Sequence, residues 1–121
     1  MNVTKPNARP PLAPFRETAA GLIFVSGQLP RGADGGIVPG GIEAQARRAL
    51  ENLSGVLDSA GASLSDVVKT TVWITDPAAM AQFNAIYETF FSAPYPARST
   101  VVSGLVAPDA LLEIEAVAVR A

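Results

Sequence analysis

Cysteine and histidine are both absent from this chain of 121 residues. Without cysteine there is no disulfide, no thiolate nucleophile and no zinc finger, and without histidine there is no Ser-His-Asp triad. General acid–base work falls to Asp, Glu, Lys, Tyr or bound water, so the chemistry open to such a chain acts on a substrate that is already reactive. Charge is also scarce: 17% of the residues are charged, the net charge is −2, and Lys5 and Lys69 are the only lysines. Nucleic-acid binders usually carry a basic stripe; none is visible, and no nucleic-acid partner is expected. No apolar run approaches the roughly 20 residues of a membrane span, so no membrane partner is expected either. The opening "MNVTKPNARPPLAPF" has no apolar h-region of a secretory signal, which makes a soluble cytoplasmic protein the expectation.

What the chain does have is apolar mass. Hydrophobic residues make up 49% of it, the composition of a globular chain with one core, and its length suits a single domain over 1–121. Residues 1–12 hold three of the ten prolines and read as an extended arm. "LIFVSGQL", 22–29, is a buried strand bounded by Gly21 and Pro30. Residues 30–41 are loop, with Asp34-Gly35 as a turn that folds back onto Ile37-Val38. Residues 42–60 form a helix: Ala46, Ala49, Leu50, Leu53, Val56, Leu57 and Ala60 recur at three and four on one face. Glu43, Arg47 and Glu51 follow at i,i+4 on the other side, and Gly61 stops the helix.

"DVVKTTVWIT", 66–75, is the clearest strand. Asp76 and Pro77 then open a second helix, about 77–91, as N-cap and N1. Met80, Phe83, Tyr87, Phe90 and Phe91 share one face of it, and Pro94 and Pro96 end it. "ARSTVVSG", 97–104, is a strand, "APDA", 107–110, a turn, and "LLEIEAVAV", 111–119, the last strand. The order predicts one sheet with two helices on one face. Val68, Val72 and Ile74 alternate with Val67 and Trp73, so strand residues are apolar on both faces. The face that the helices leave uncovered is expected to be buried in an oligomer.

On the last strand Glu113 and Glu115 share a face with Val117 and Val119, opposite Leu112, Ile114, Ala116 and Ala118. Two carboxylates on a half-buried face want a partner. Arg98, in "YPARST", is the candidate, because a short turn joins its strand to the last one. It has two readings: an Arg–Glu pair that locks the sheet or a subunit interface, or a guanidinium awaiting an outside anion. In "SGQLP", Gly27 either leaves backbone N–H groups approachable or marks a β-bulge. The 30–41 loop matches no phosphate-binding pattern, having neither GK[ST] nor GxGxxG spacing. The aromatic stripe reads as core, and Asn84, one position off it, lies on the surface or in a cleft. Lys69 would be a nucleophile only if desolvated, and its alternating strand predicts a solvated edge.

The fragments "FVSGQLP", "QARRALENLSGVLDSAGASLSDVVKTTVWITD", "FNAIYETFF", "PARST" and "LLEIEAVAV" stand in the order and spacing of one family. From about Pro14 to Ala121 the chain resembles the RidA (YjgF) reactive-intermediate deaminases. The resemblance implies an α+β, chorismate-mutase-like subunit in a homotrimer, sheets inward, helices outward, with clefts between subunits. It implies hydrolysis of enamines or imines, typically 2-aminoacrylate-like products of PLP enzymes, to 2-keto acids and ammonia, with no metal and no organic cofactor. Arg98 then matches the arginine that grips the substrate carboxylate, and Glu113 the glutamate that positions or activates water. Ser26 and Gly27 match strand-end residues near the ligand, and Asn84 a cleft-lining asparagine. Two positions depart from the family pattern. Phe15, in "APFRE", replaces a ligand-contacting tyrosine, and Thr100 replaces a frequent cysteine. "PLAPF" and "GLVAPDALLEI" are similar to the branch of 3-aminoacrylate deaminases of pyrimidine utilisation. Two other readings are a non-catalytic trimer that binds small carboxylates and a ribonuclease, an activity attached to some family members. The acidic balance and lack of histidine argue against the latter.

Overall fold

A computed structural model describes residues 10–121; most of the N-terminal arm, residues 1–9, lies outside the described residues. The elements run β1 (Phe15–Glu17), β2 (Leu22–Gln28), α1 (Gly41–Ser59), β3 (Val67–Ile74), α2 (Met80–Phe90), β4 (Ala97–Val102) and β5 (Leu112–Val119). Single 3-10 turns lead into β3 and α2. The five strands form one sheet in the order β1-β2-β5-β3-β4. Every pairing is antiparallel except β3–β4, which is parallel because α2 carries the chain back between them.

The apolar stripe of α1 becomes the core. Ala46, Ala49, Leu50, Leu53 and Leu57 are fully buried against Ile23, Val72, Leu112, Ile114 and Ala118 of the sheet. Ala60 takes the C-cap position, and Gly61 follows at φ 75°, the left-handed conformation that glycine adopts without strain. On the outer side the ion pair that forms is Arg48–Glu51, at 3.8 Å, and not one through Arg47. Asp76 accepts the amide of Ala78 at 2.9 Å but caps the 3-10 turn Pro77–Ala79 and not α2, which starts at Met80 without a side-chain cap; of the predicted stripe Phe83, Tyr87 and Phe91 are buried. The predicted turn at Asp34-Gly35 closes a bridge between Arg31 and Ile37.

Three features differ from the sequence reading. β1 has no counterpart in the sequence pattern, because its three residues are too short to display a period. In β3 a bulge between Val67 and Lys69 resets the alternation, so Val67 is buried with Val72 and Ile74 while Val68 is exposed. And β4 does not lie beside β5, because β3 lies between them. The crossover through α2 gives β4 the place next to β3, and the 103–111 connection spans the extra strand. Both helices cover one face. On the other, Phe24, Val101 and Val119 stay exposed beside half-buried Trp73 and Val117.

Candidate functional site

Arg98 enters the sheet opposite Thr70 of β3, on the face that the helices cover. Thr70 is fully buried, and its hydroxyl is hydrogen-bonded to that of Tyr87, 2.9 Å away. The Arg98 guanidinium lies over the Tyr87 ring, 4.9 Å from its centroid, and 5.7 Å from that of Phe83. Among the described residues it makes no ion pair. It opens onto a concavity of about 310 Å³ lined by Asn84, Tyr87, Glu88, Tyr95 and Pro96. The helix residue Asn84 and the strand residue Arg98 are thus brought together. Thr100, two residues on, is exposed on the same edge strand.

Glu113 stands on the opposite face. It pairs with Trp73, which pairs in turn with Val101. Partial burial, and after it the charge of Glu115, push the Glu113 carboxyl above the ordinary carboxylate range. Its carboxylate occupies the space where a Cβ at position 27 would stand, so the lack of a side chain at Gly27 makes room for it. Gly27 also lies in a bulge: the β2–β5 register shifts between Val25 and Gln28. Of the two readings of Gly27, the bulge is the one the register shows, and the same position makes room for the Glu113 carboxylate. Ser26 donates its hydroxyl to the carbonyl of Ala13 at 2.5 Å and fastens the chain entering β1. Phe15 pairs with Val25 and packs on the core from the helix side, so the position offers an aromatic edge and no hydroxyl. A second concavity, about 240 Å³, is lined by Trp73, Glu113 and the loop 103–106, where Val106 is 99% exposed.

The predicted site residues therefore fall into two groups. Asn84, Arg98 and Thr100 sit at the β4 edge; Phe15, Ser26, Gly27 and Glu113 sit toward β1, β2 and β5. Glu113 and Arg98 are two strands and three rungs apart, roughly 14 Å on the lattice of a sheet, and on opposite faces. An Arg98–Glu113 or Arg98–Glu115 pair within one chain, expected from the short turn, does not form. Lys69 is not at an edge: β3 is interior, and the ammonium donates to the Ser99 hydroxyl at 2.8 Å on the uncovered face. Tyr87 and Tyr95 were missed as site residues. The helical spacing of Tyr87 marked it as core, which it also is. Tyr95 carries a signal in the sequence, an aromatic between two prolines three residues before Arg98 in "PYPAR". Among the described residues no cluster of carboxylates suited to a metal is present.

Fold and site together define a class: a small single-sheet α+β chain with an arginine over aromatic rings, in no ion pair among the described residues, and a partly buried glutamate on another surface. The model of the Endoribonuclease L-PSP family matches residues 5–120, and the chain belongs to that family, known also as RidA/YjgF. It is 43% identical over 102 residues to the 2-iminobutanoate/2-iminopropanoate deaminase of Escherichia coli, covering 82% of this chain and 80% of that one. The crystal structure of E. coli TdcF with bound serine superposes with a TM-score of 0.85 at 39% identity, over 96% of this chain and 93% of that one. RidA from an Antarctic Psychrobacter gives a TM-score of 0.86 at 30% identity, over 95% and 93%.

Proposed function

We propose that this protein is an enamine/imine deaminase that converts small 2-aminoacrylate-type intermediates to 2-keto acids and ammonia. The observation that carries this reading is the state of Arg98. Its guanidinium lies over two aromatic rings, it is in no ion pair among the described residues, and it borders a concavity with ample room for a small acid. A planar guanidinium suits bidentate contact with a carboxylate.

The mechanism follows from the two groups. Arg98 holds the substrate carboxylate while the enamine tautomerises to an imine. Glu113, whose raised pKa makes its carboxylate a stronger base than an ordinary one, accepts a proton from the water that adds to the C=N carbon and returns it to the nitrogen. The resulting carbinolamine expels ammonia once the nitrogen is protonated, leaving the C=O of the keto acid. Enamines hydrolyse unaided, so proximity and one acid–base group, each worth on the order of 10²-fold, are enough.

One chain cannot bring Glu113 to Arg98. The reading therefore includes a homotrimer in which the uncovered sheet faces pack inward, and a cleft takes Arg98 from one subunit and Glu113 from its neighbour. The exposed Phe24, Val101 and Val119 support such burial. The 3-aminoacrylate branch is a narrower form of the same reading, favoured by Phe15 in place of a hydroxyl. A non-catalytic carboxylate binder is the competing one, favoured by an arginine cradle that is complete in a single chain without the glutamate.

The test is turnover of 2-aminoacrylate, 2-iminobutyrate and 3-aminoacrylate by wild type, Arg98→Ala and Glu113→Gln, beside 2-ketobutyrate binding. The deaminase reading expects Arg98→Ala to lose binding and turnover, and Glu113→Gln to bind normally with turnover down on the order of 10²-fold. Equal rates for wild type and Arg98→Ala sink the clamp. Binding without turnover in wild type establishes the binder.

A further inference from the structure

We propose that Tyr87, anchored by Thr70, is a positioning residue that sets the orientation of the Arg98 guanidinium and thereby the affinity of the site for carboxylates. The inference rests on the reading of Arg98 as the carboxylate clamp.

The geometry forms a closed triangle. Thr70 is the cross-strand neighbour of Arg98, so the β3 residue that lies beside the arginine's backbone also bonds the ring beneath its side chain. The Tyr87–Thr70 bond is 2.9 Å and buried. The Tyr87 ring is fixed from two further sides, with Phe83 at 5.6 Å and Phe91 at 4.6 Å between centroids. A ring held at its tip and on both flanks is a rigid platform, and the guanidinium lies 4.9 Å above it.

A cation–π contact leaves the arginine's hydrogen bonding free. A ring attracts the guanidinium plane through its negative face and accepts none of the five N–H groups that radiate in that plane. Arg98 lines the concavity together with Asn84 and Tyr95, and among the described residues no ion pair occupies its N–H edge. An ion pair would have held the arginine equally well but would have used up that edge. The Tyr87 hydroxyl takes no part in proton transfer on this account: it is buried against Thr70, and burial raises its pKa above the ordinary phenol value. Tyr87 acts through its ring, and the hydroxyl keeps the ring in place.

Steady-state turnover of 2-iminobutyrate and direct binding of 2-ketobutyrate by the full chain test this. Tyr87→Leu, which removes the platform, is expected to raise KM about tenfold with kcat changed less than threefold, the pattern of lost ground-state binding. Tyr87→Phe keeps the ring but not its anchor, and should raise KM about threefold. Thr70→Val should match Tyr87→Phe, with Thr70→Ser closer to wild type. In an Arg98→Ala background Tyr87→Leu should add no further loss of binding, which a merely structural role would still add. A wild-type KM in Tyr87→Leu beside a crippled Arg98→Ala overturns the inference alone. A wild-type KM in Arg98→Ala brings down the clamp reading and the inference with it. If Tyr87→Leu does not fold, the near-isosteric Thr70→Val decides: an unchanged KM overturns the proposal.

Discussion

Glu113 and Arg98 show what single residues disclose before and after folding. The sequence identified Arg98 as a strand arginine in want of an anion, and Glu113 as a carboxylate on a half-apolar face. It could not supply their neighbours, because the platform beneath Arg98 comes from a helix whose spacing speaks only of burial. Nor could it tell that Gly27 and Glu113 occupy each other's space, since β2 and β5 are distant in the chain and meet across a bulge. The environment of Glu113 makes a pH prediction. Its carboxyl is raised first by burial and second by the charge of Glu115. The acid limb of kcat/KM should therefore lie above the ordinary carboxylate range, and Glu115→Gln should move it down without abolishing turnover. The sign for stability is opposite to that of a salt-bridged acid. With its folded pKa raised, Glu113 contributes fully below its unfolded pKa, and the contribution is lost as pH rises through the folded value. Glu113→Gln should thus be more stable than wild type near pH 7, with the difference shrinking in acid. An acid limb unmoved by Glu115→Gln, or a Gln variant no more stable at neutral pH, contradicts this account.

At the scale of elements, what could be read was what carries a period. The stripe of α1 and the alternation of β5 run long enough to fix their buried faces. Strand adjacency carried no such signal, and the short turn before β5 suggested a neighbour that the parallel β3–β4 pairing had already taken. The joints between elements were also unreadable. Gln45, on the apolar side of α1, is buried and polar. Its amide donates to the carbonyls of Val38 at 3.2 Å and Asp109 at 3.1 Å, and its oxygen accepts the amide of Leu111 at 2.8 Å. One side chain thus fastens the 30–41 loop and the turn before β5 to the helix. At the other end, Arg120 grips Glu17 with two bonds, at 2.8 and 2.7 Å, and reaches the carbonyls of Ala60 and Gly61 at the end of α1. The Gln45 joint makes the clearer prediction. Gln45→Leu keeps the volume and strands two carbonyls and an amide, at about 1–3 kcal/mol for a buried group left unpaired. Urea denaturation should show the midpoint falling with an unchanged m-value, and a midpoint at the wild-type value would show the joint to be dispensable.

For the whole molecule the decisive fact is that the two chemical groups cannot meet within one chain. They lie on opposite faces of the sheet, and the uncovered face is apolar where no helix protects it. The same sequence feature, apolar residues on both faces of β3, that predicts an oligomer therefore also bears on where the reaction takes place. If each cleft combines Arg98 of one subunit with Glu113 of the next, two inactive variants should repair each other. Co-expression of Arg98→Ala with Glu113→Gln allows mixed trimers to assemble. In a random equal mixture about a quarter of the clefts of a cyclic trimer combine an intact arginine with an intact glutamate. Turnover near a quarter of wild type is the expected result, against almost none for either variant alone. The same mixture made from separately purified trimers, combined without dissociation, should stay inactive, since the clefts are set when the trimer closes. A mixed preparation as inactive as its parents would place arginine and glutamate in different functions, and would leave the Arg98 cradle as a binding site that works without Glu113.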